Sequence, residues 1–294
     1  GVMVVLLGIL LTPLGCLGEH AYPMTANVRF ATQISKLHGQ TRRLPRLNAV
    51  SRQSFLQALG ATVTTSLQSG CVDVEVPTNG GYASSCMQSP IQKLILNDGR
   101  RVELLQEWDG KPGHTGSALW QSGKALASYM ETLGPSFWEG ANVIELGCGT
   151  GLCSLVAHYL GAAKVLATDG NEDVVRLAER NLVFNKLSNG GELGVRQLRW
   201  GPAIPISSTE WDVIIGSDLT YNGQTWIQLA QTIKQLLETN SNSKFLYCTA
   251  THSQFRAELE GFRTVAESLG LRWSDESRYD YESSTAKIAW ITLR

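Results

Sequence analysis

The stretch Asn142-Val143-Ile144-Glu145-Leu146-Gly147-Cys148-Gly149-Thr150-Gly151-Leu152-Cys153 decides how this chain is read. Five residues of strand length, apolar but for Asn142 and Glu145, run into glycines at alternate positions: Gly147, Gly149 and Gly151. Without a Cβ, glycine takes φ > 0 and lets a ligand approach the backbone closely. Beyond the turn, Leu152, Leu155, Val156, Tyr159 and Leu160 recur at i, i+3, i+4, i+7 and i+8, a single apolar helix stripe. The pattern predicts a strand, a glycine turn and a helix, with the turn where open α/β sheets bind ligands.

Spacing narrows the ligand. A dinucleotide fingerprint, G-x-G-x-x-G, needs a third glycine where Leu152 stands, so it fails. The pattern present is acid-x-Gly-x-Gly-x-Gly, led by Glu145, and it resembles the first motif of class I S-adenosylmethionine-dependent methyltransferases. A second apolar segment, 163–168, ends in Asp169, 22 positions after Gly147. A carboxylate there is placed to accept the two hydroxyls of a ribose. Cys148 lies inside the turn, and together with Cys153 it reads as a small buried filler.

Working outward, segments 91–96 and 101–105 alternate around Asn97-Asp98-Gly99-Arg100, a β-hairpin signal. Residues 116–130 read as a helix with Trp120 near its start, either a core residue or a wall of the ligand pocket. Asn171 is an N-cap candidate, with Glu172 and Asp173 suited to the first turn of the helix that follows. Segment 195–199 reads as a short strand ending at Trp200, an indole suited to stacking on a base or to core packing. Segment 213–215 is a central strand that stops at Gly216. Just past it come Ser217, Asp218 and Tyr221, on the sheet edge that carries the glycine turn. A carboxylate and a phenol at a pocket mouth suit a cationic amine; the competing use of Asp218 is as a cap for the helix at 225–237. Strand 244–249, helix 253–269, a short strand 271–273 and a final strand 286–293 complete an alternating α/β pattern.

Charge and composition bound the rest. Between His20 and Val72 there are six basic residues and no acid; from Asp73 onward 25 acids face 19 bases. The part bearing the motifs is therefore mildly acidic, which argues against a phosphate-tracking surface and a nucleic-acid partner. The apolar run from Val2 to Leu11 is too short to span a bilayer. It resembles a signal-like leader (1–24), and the basic stretch after it, acid-free as far as Val72, resembles a transit segment followed by a linker (25–89). If the leader is real, the expected compartment is a plastid or another organelle. If Met24 is the true start, it is the cytoplasm. The six cysteines make no C-x-x-C pair and no zinc spacing, so no metal is expected.

Residues 90–294 resemble the methyltransferase 16 family of seven-β-strand protein methyltransferases. The match rests on 116–129 with Trp120, on Glu145 to Gly151, on 198–201 with Trp200, and on Ser217 to Tyr221. The last fits the family's Asp/Glu-x-x-Tyr signature. The resemblance implies a Rossmann-like seven-stranded sheet with helices on both faces, preceded by the hairpin. It implies S-adenosylmethionine as cofactor, lined by Trp120, Glu145, Gly147, Cys148, Gly149, Gly151, Asp169, Trp200 and Ser217. Asp218 and Tyr221 then flank the target side chain. The implied activity is protein-lysine N-methylation by a monomer. Protein-histidine or small-molecule methylation, or a cofactor-binding module without turnover, are the alternatives. Gln121 and Ser217 depart from the family's common Trp-Asp and Ala-acid pairs.

Overall fold

The computed structural model describes residues 68–69, 75–78, 81–84, 89–109, 114–185, 190–205, 211–250, 253–282 and 284–294. The leader and transit-like segment through residue 67, with Met24 and Cys16, lie outside the described residues, as do Cys71 and Cys86. From the amino end, strands β1 (Gln68–Ser69), β2 (Glu75–Thr78) and β3 (Gly81–Ser84) occupy part of what reads as a linker. Strands β2 and β3 pair antiparallel, while β1 joins the expected hairpin, β4 (Ile91–Ile95) and β5 (Arg101–Leu105), in a three-stranded sheet. Gly99 takes φ 87° in the hairpin turn, as the Asp-Gly pair predicts.

The main sheet alternates with helices. Helix α1 (Gln121–Thr132) and the single turn α2 (Pro135–Trp138) lead into β6 (Asn142–Leu146) and α3 (Leu152–Tyr159). Next come β7 (Lys164–Asp169), α4 (Glu172–Phe184), β8 (Glu192–Gln197) and β9 (Val213–Ser217). Helix α5 (Trp226–Leu237), β10 (Lys244–Ala250), α6 (Ser253–Ser268), β11 (Leu271–Tyr281) and β12 (Ser284–Leu293) finish the chain. The seven strands run in the order β11-β12-β10-β9-β6-β7-β8, with β12 alone running against the others. From β6 the chain moves outward through β7 and β8, then returns to β9 on the other side of β6. The pair β6/β9 is therefore the topological switch point, where such sheets open a crevice.

Neighbouring residues of the central strands pack on opposite faces, as the two-residue strand period requires. Val143, Ile215 and Leu246 join one apolar cluster with α1 and α3, and Ile144, Ile214, Phe245 and Tyr247 join another with α5 and α6. Each fully buried aliphatic side chain contributes about 1.5–3 kcal/mol. The hairpin feeds the first cluster through Leu94, Val102 and Leu104. Its outer strand is closed by α4: Asn181 Oδ1 accepts from Leu105 N (2.7 Å) and Asn185 Oδ1 from Glu103 N (3.0 Å). These two amides, one turn apart, satisfy an edge that would otherwise be open for pairing.

Several boundaries differ from the sequence reading. The helix expected over 116–130 begins only at Gln121, because Thr115–Ser117 forms a 3-10 turn and Trp120 is extended (φ −88°, ψ 154°). Gln106 Oε1 accepts from Leu119 N, and Glu107 N donates to Ser117 O, so this segment is tied to the chain leaving β5. The strand expected over 195–199 lies at 192–197, set by its pairing with β7. The expected short strand at 271–273 extends to Tyr281 along β12, through a polar stretch with a register shift between Ser274 and Ser277. No helix among the described residues is long and apolar enough to cross a membrane.

Candidate active site

At the carboxyl ends of β6 and β9 the structure opens a cavity of about 720 Å³. Every candidate but Gly151 lines it: Trp120, Glu145, Gly147, Cys148, Gly149, Asp169, Trp200, Ser217, Asp218 and Tyr221. Gly151 itself is the N-cap of α3, in the left-handed region at φ 86°, and packs towards Leu182 rather than into the cavity.

The glycine turn is held by backbone bonds from Cys148 N to Thr168 O and from Gly151 N to Cys148 O, both 2.8 Å. Gly147 and Gly149 take φ 62° and 53°, which disfavours any L side chain. A Cβ on Gly147 would also stand 2.6 Å from Leu219 Cδ2, and one on Gly149 would meet the Gly116 carbonyl oxygen at 3.1 Å. A Cβ on Gly216 would likewise stand 2.6 Å from Leu219 Cδ1. Leu219 is thus wedged where β6 and β9 end, and it fixes Asp218 and Tyr221 relative to the turn.

Glu145 is 2 % exposed in the central strand. Its Oε2 accepts from Ser154 N (2.8 Å) and from the Ser154 hydroxyl. Gly151 has no side chain to cap α3, so Glu145 satisfies a first-turn N–H in its place. Burial, partly offset by Ser154, raises its pKa to about 7. Burial likewise pushes the Cys148 and Cys153 thiols well above their usual range.

Asp169 accepts from Asn171 N through Oδ1 (3.0 Å) and from Gly149 N through Oδ2 (3.3 Å). Burial raises its pKa, and those N–H groups oppose the shift. Asn171 caps α4 as expected, accepting from Asp173 N at 2.8 Å. On the cavity walls, Trp120 donates its Nε1 to Thr115 O (2.7 Å) and meets Trp108 edge-on at 6.0 Å. Trp200 packs against the α5/α6 core cluster and sits near Gly147.

Asp218 follows β9 in the left-handed region, φ 50°. Its Oδ2 accepts from the Ser122 hydroxyl, and its Oδ1 from Thr249 Oγ1 and Ala250 N, both 3.2 Å. The turn before α5 is capped by Asn222 instead, which accepts from Gln224 N. Tyr221 is 51 % exposed at the mouth and shares a hydrogen bond of 3.3 Å with Thr115 Oγ1. The sequence reading did not single out Ser122, Thr249, Leu219 or Glu258. Leu219 lies inside the Asp218-to-Tyr221 signature, whereas the other three reach the site only through long-range packing. Among the described residues, no cluster of three or more His, Cys, Asp or Glu could hold a metal.

Residues 97–266 match the family model described as lysine methyltransferase, methyltransferase 16. The chain belongs to the lysine methyltransferase family. The matched region runs from the hairpin turn into α6 and takes in the whole cavity. The chain is 32% identical over 164 residues to the calmodulin-lysine N-methyltransferase of Arabidopsis thaliana, covering 55% of this chain and 53% of that protein. It is 33% identical over 134 residues to the protein-lysine N-methyltransferase EFM3 of Chaetomium thermophilum, covering 43% and 40%. Against the protein N-lysine methyltransferase METTL21A of Xenopus tropicalis it is 34% identical over 143 residues, covering 48% and 63%. The chain thus spans about half the length of the curated relatives it matches. The cavity that this matched region encloses joins the glycine turn and Asp169 to a second carboxylate, Asp218, held by three donors.

Proposed function

We propose that the chain is an S-adenosylmethionine-dependent protein-lysine N-methyltransferase. Family membership and the lysine methyltransferase names of its relatives support this reading. The observation that carries it is Asp218, immobilised by Ser122, Thr249 and Ala250 in the same cavity as the glycine turn.

The residues fit the cofactor. Its size suits a cavity of this volume, and the missing Cβ atoms of Gly147 and Gly149 leave a cradle that Leu219 and Gly116 would otherwise crowd. Asp169 would accept the ribose hydroxyls, and Trp120 and Trp200 would wall the site. Cys148 and Ser217 would contribute short side chains that leave room, with Glu145 and Gly151 holding the turn onto α3. When bound, the cofactor supplies an electrophilic methyl group on a sulfonium.

The chain's own work is alignment. Asp218 would bind and orient the target ammonium, and Tyr221 would hold the nitrogen at the mouth. Because Asp218 stabilises a charged amine, its role is anchoring rather than proton removal. A protein rather than a nucleic acid is the proposed acceptor, given the acidic balance after Asp73.

The test is to give the full chain methyl-labelled S-adenosylmethionine and a soluble protein extract. Label in one or a few protein bands is expected. Label confined to small molecules would contradict the reading.

A further inference from the structure

The substrate end of the cavity holds a carboxylate that the roles above do not use. Glu258, on α6, lines the same cavity as Asp218 and Tyr221. Its Oε2 is shut off from solvent and has no hydrogen-bond partner among the described residues. A buried polar atom without a partner carries a desolvation cost. Glu258 itself lines the cavity, and because no protein donor holds this oxygen, rotation about the side-chain bonds can offer it to a donor that arrives with the ligand. Asp218 is differently placed, since both of its oxygens already accept from protein donors. Held on both oxygens, it is placed to anchor a ligand's charge rather than to turn toward its proton. Tyr221 is half-exposed and already bonded to Thr115.

We propose that Glu258 takes the proton from the target ammonium while Asp218 anchors it. The proposal rests on the lysine methyltransferase reading above. An N–H bond of the ammonium breaks, an O–H bond forms at Glu258, and the electron pair left on nitrogen becomes the nucleophile. That pair then forms the N–C bond as the methyl–sulfur bond breaks and its electrons stay on sulfur. The proton on Glu258 passes to solvent when the product leaves.

The need for such a group is set by the amine. At its ordinary pKa of about 10.4, roughly one lysine in a few thousand is neutral at pH 7. Burial, then the charge of Asp218, raises the Glu258 carboxyl above its ordinary value, which narrows the gap to the amine. The elements packed on α6 are α5, β11 and the turn Gly223–Thr225. The turn has no titratable side chain, Lys234 of α5 is paired with Glu238, and Glu276 of β11 is paired with Arg263 and Lys287. Arg278 of β11 pairs with Asp280. Glu267 of α6 is paired with Arg263, and the remaining described charges near this surface, Glu260 and Arg272, are exposed to solvent.

The experiment follows initial rates of label entering protein lysine from S-adenosylmethionine, with the full chain and a soluble extract as methyl acceptor. Wild type, Glu258→Gln and Glu258→Asp are compared from about pH 6.5 to about 9.5, with cofactor affinity measured by calorimetry as the check on folding. Glu258→Gln is expected to be slower by roughly tenfold or more at pH 7. Its deficit should shrink at high pH, where the amine loses its proton unaided, and Glu258→Asp should recover part of the rate. A Gln variant as fast as wild type, or slowed by one factor at every pH, would overturn the proposal alone. Absence of labelled lysine from the wild type would overturn it together with the reading on which it rests.

Discussion

The Ser122 hydroxyl, in the first turn of α1, donates to the Asp218 carboxylate at the end of β9, across 96 positions of sequence. Ser122 is 1 % exposed, so no water stands in for it readily. Thr249 and Ala250 hold the other oxygen. Loss of one such bond to a charged group costs about 1.5–3 kcal/mol, which corresponds to roughly tenfold or more in rate if it is expressed in orientation. Ser122→Ala should therefore lower turnover by about that factor with cofactor affinity unchanged, measured by initial rates and calorimetry. An unchanged rate would mean that Asp218 does not need this donor.

Removing the carboxylate itself separates its role from cofactor binding. Asp218→Ala should abolish turnover and leave S-adenosylmethionine affinity within a few-fold. Parallel loss of both would contradict the division between Asp218 and the glycine turn.

The turn fails differently. Gly147→Ala places a Cβ 2.6 Å from Leu219 Cδ2 at a φ of 62°. Overpacking of this kind costs about 1–3 kcal/mol, before the left-handed backbone is counted. The expected result is a lower melting temperature together with weaker cofactor binding. A variant with wild-type affinity would show that the cradle is not where the ligand lies.

Glu145 gives a pH signature. Its pKa is about 7 in the folded chain against 4.5 for an ordinary glutamate. The folded state therefore binds more protons between those values, and Glu145's contribution to stability is present below about 4.5 and lost as pH rises through about 7. The shift corresponds to a contribution on the order of 3 kcal/mol. Wild type should lose thermal stability from about pH 5 to about 7.5 more steeply than Glu145→Gln does, by thermal melts across that range. Glu131, also raised to about 7 by burial, acts in the same direction in both proteins and cancels in the comparison. Parallel pH profiles would contradict the assignment.

The sequence was most legible where local signals decide structure. Strand β6, the glycine turn and α3 were readable because an apolar run, three glycines and a 3.6-residue stripe are written within twenty residues. The Asn171 cap and the Asp-Gly hairpin are local too. What escaped was set by distant partners. The start of α1 moved because Gln106 and Glu107 capture residues 117–119, and β8 moved because β7 fixes its register. Strand β11 runs through Ser274 to Arg278, whose polar composition hides a strand that exists by pairing with β12. In the cavity, the glycines, Asp169, Asp218 and Tyr221 were visible as motifs. Ser122, Thr249 and Glu258 carry no motif, and only folding brings them to Asp218.

The most direct test of the central claim is amino-acid analysis of the labelled protein. The full chain transfers methyl from labelled S-adenosylmethionine into extract proteins, and the acid hydrolysate is separated, beside an Asp218→Ala control. Label co-migrating with methyl-lysine, and absent from the control, is the predicted result. Label in methyl-histidine, or equal label from Asp218→Ala, would contradict the account.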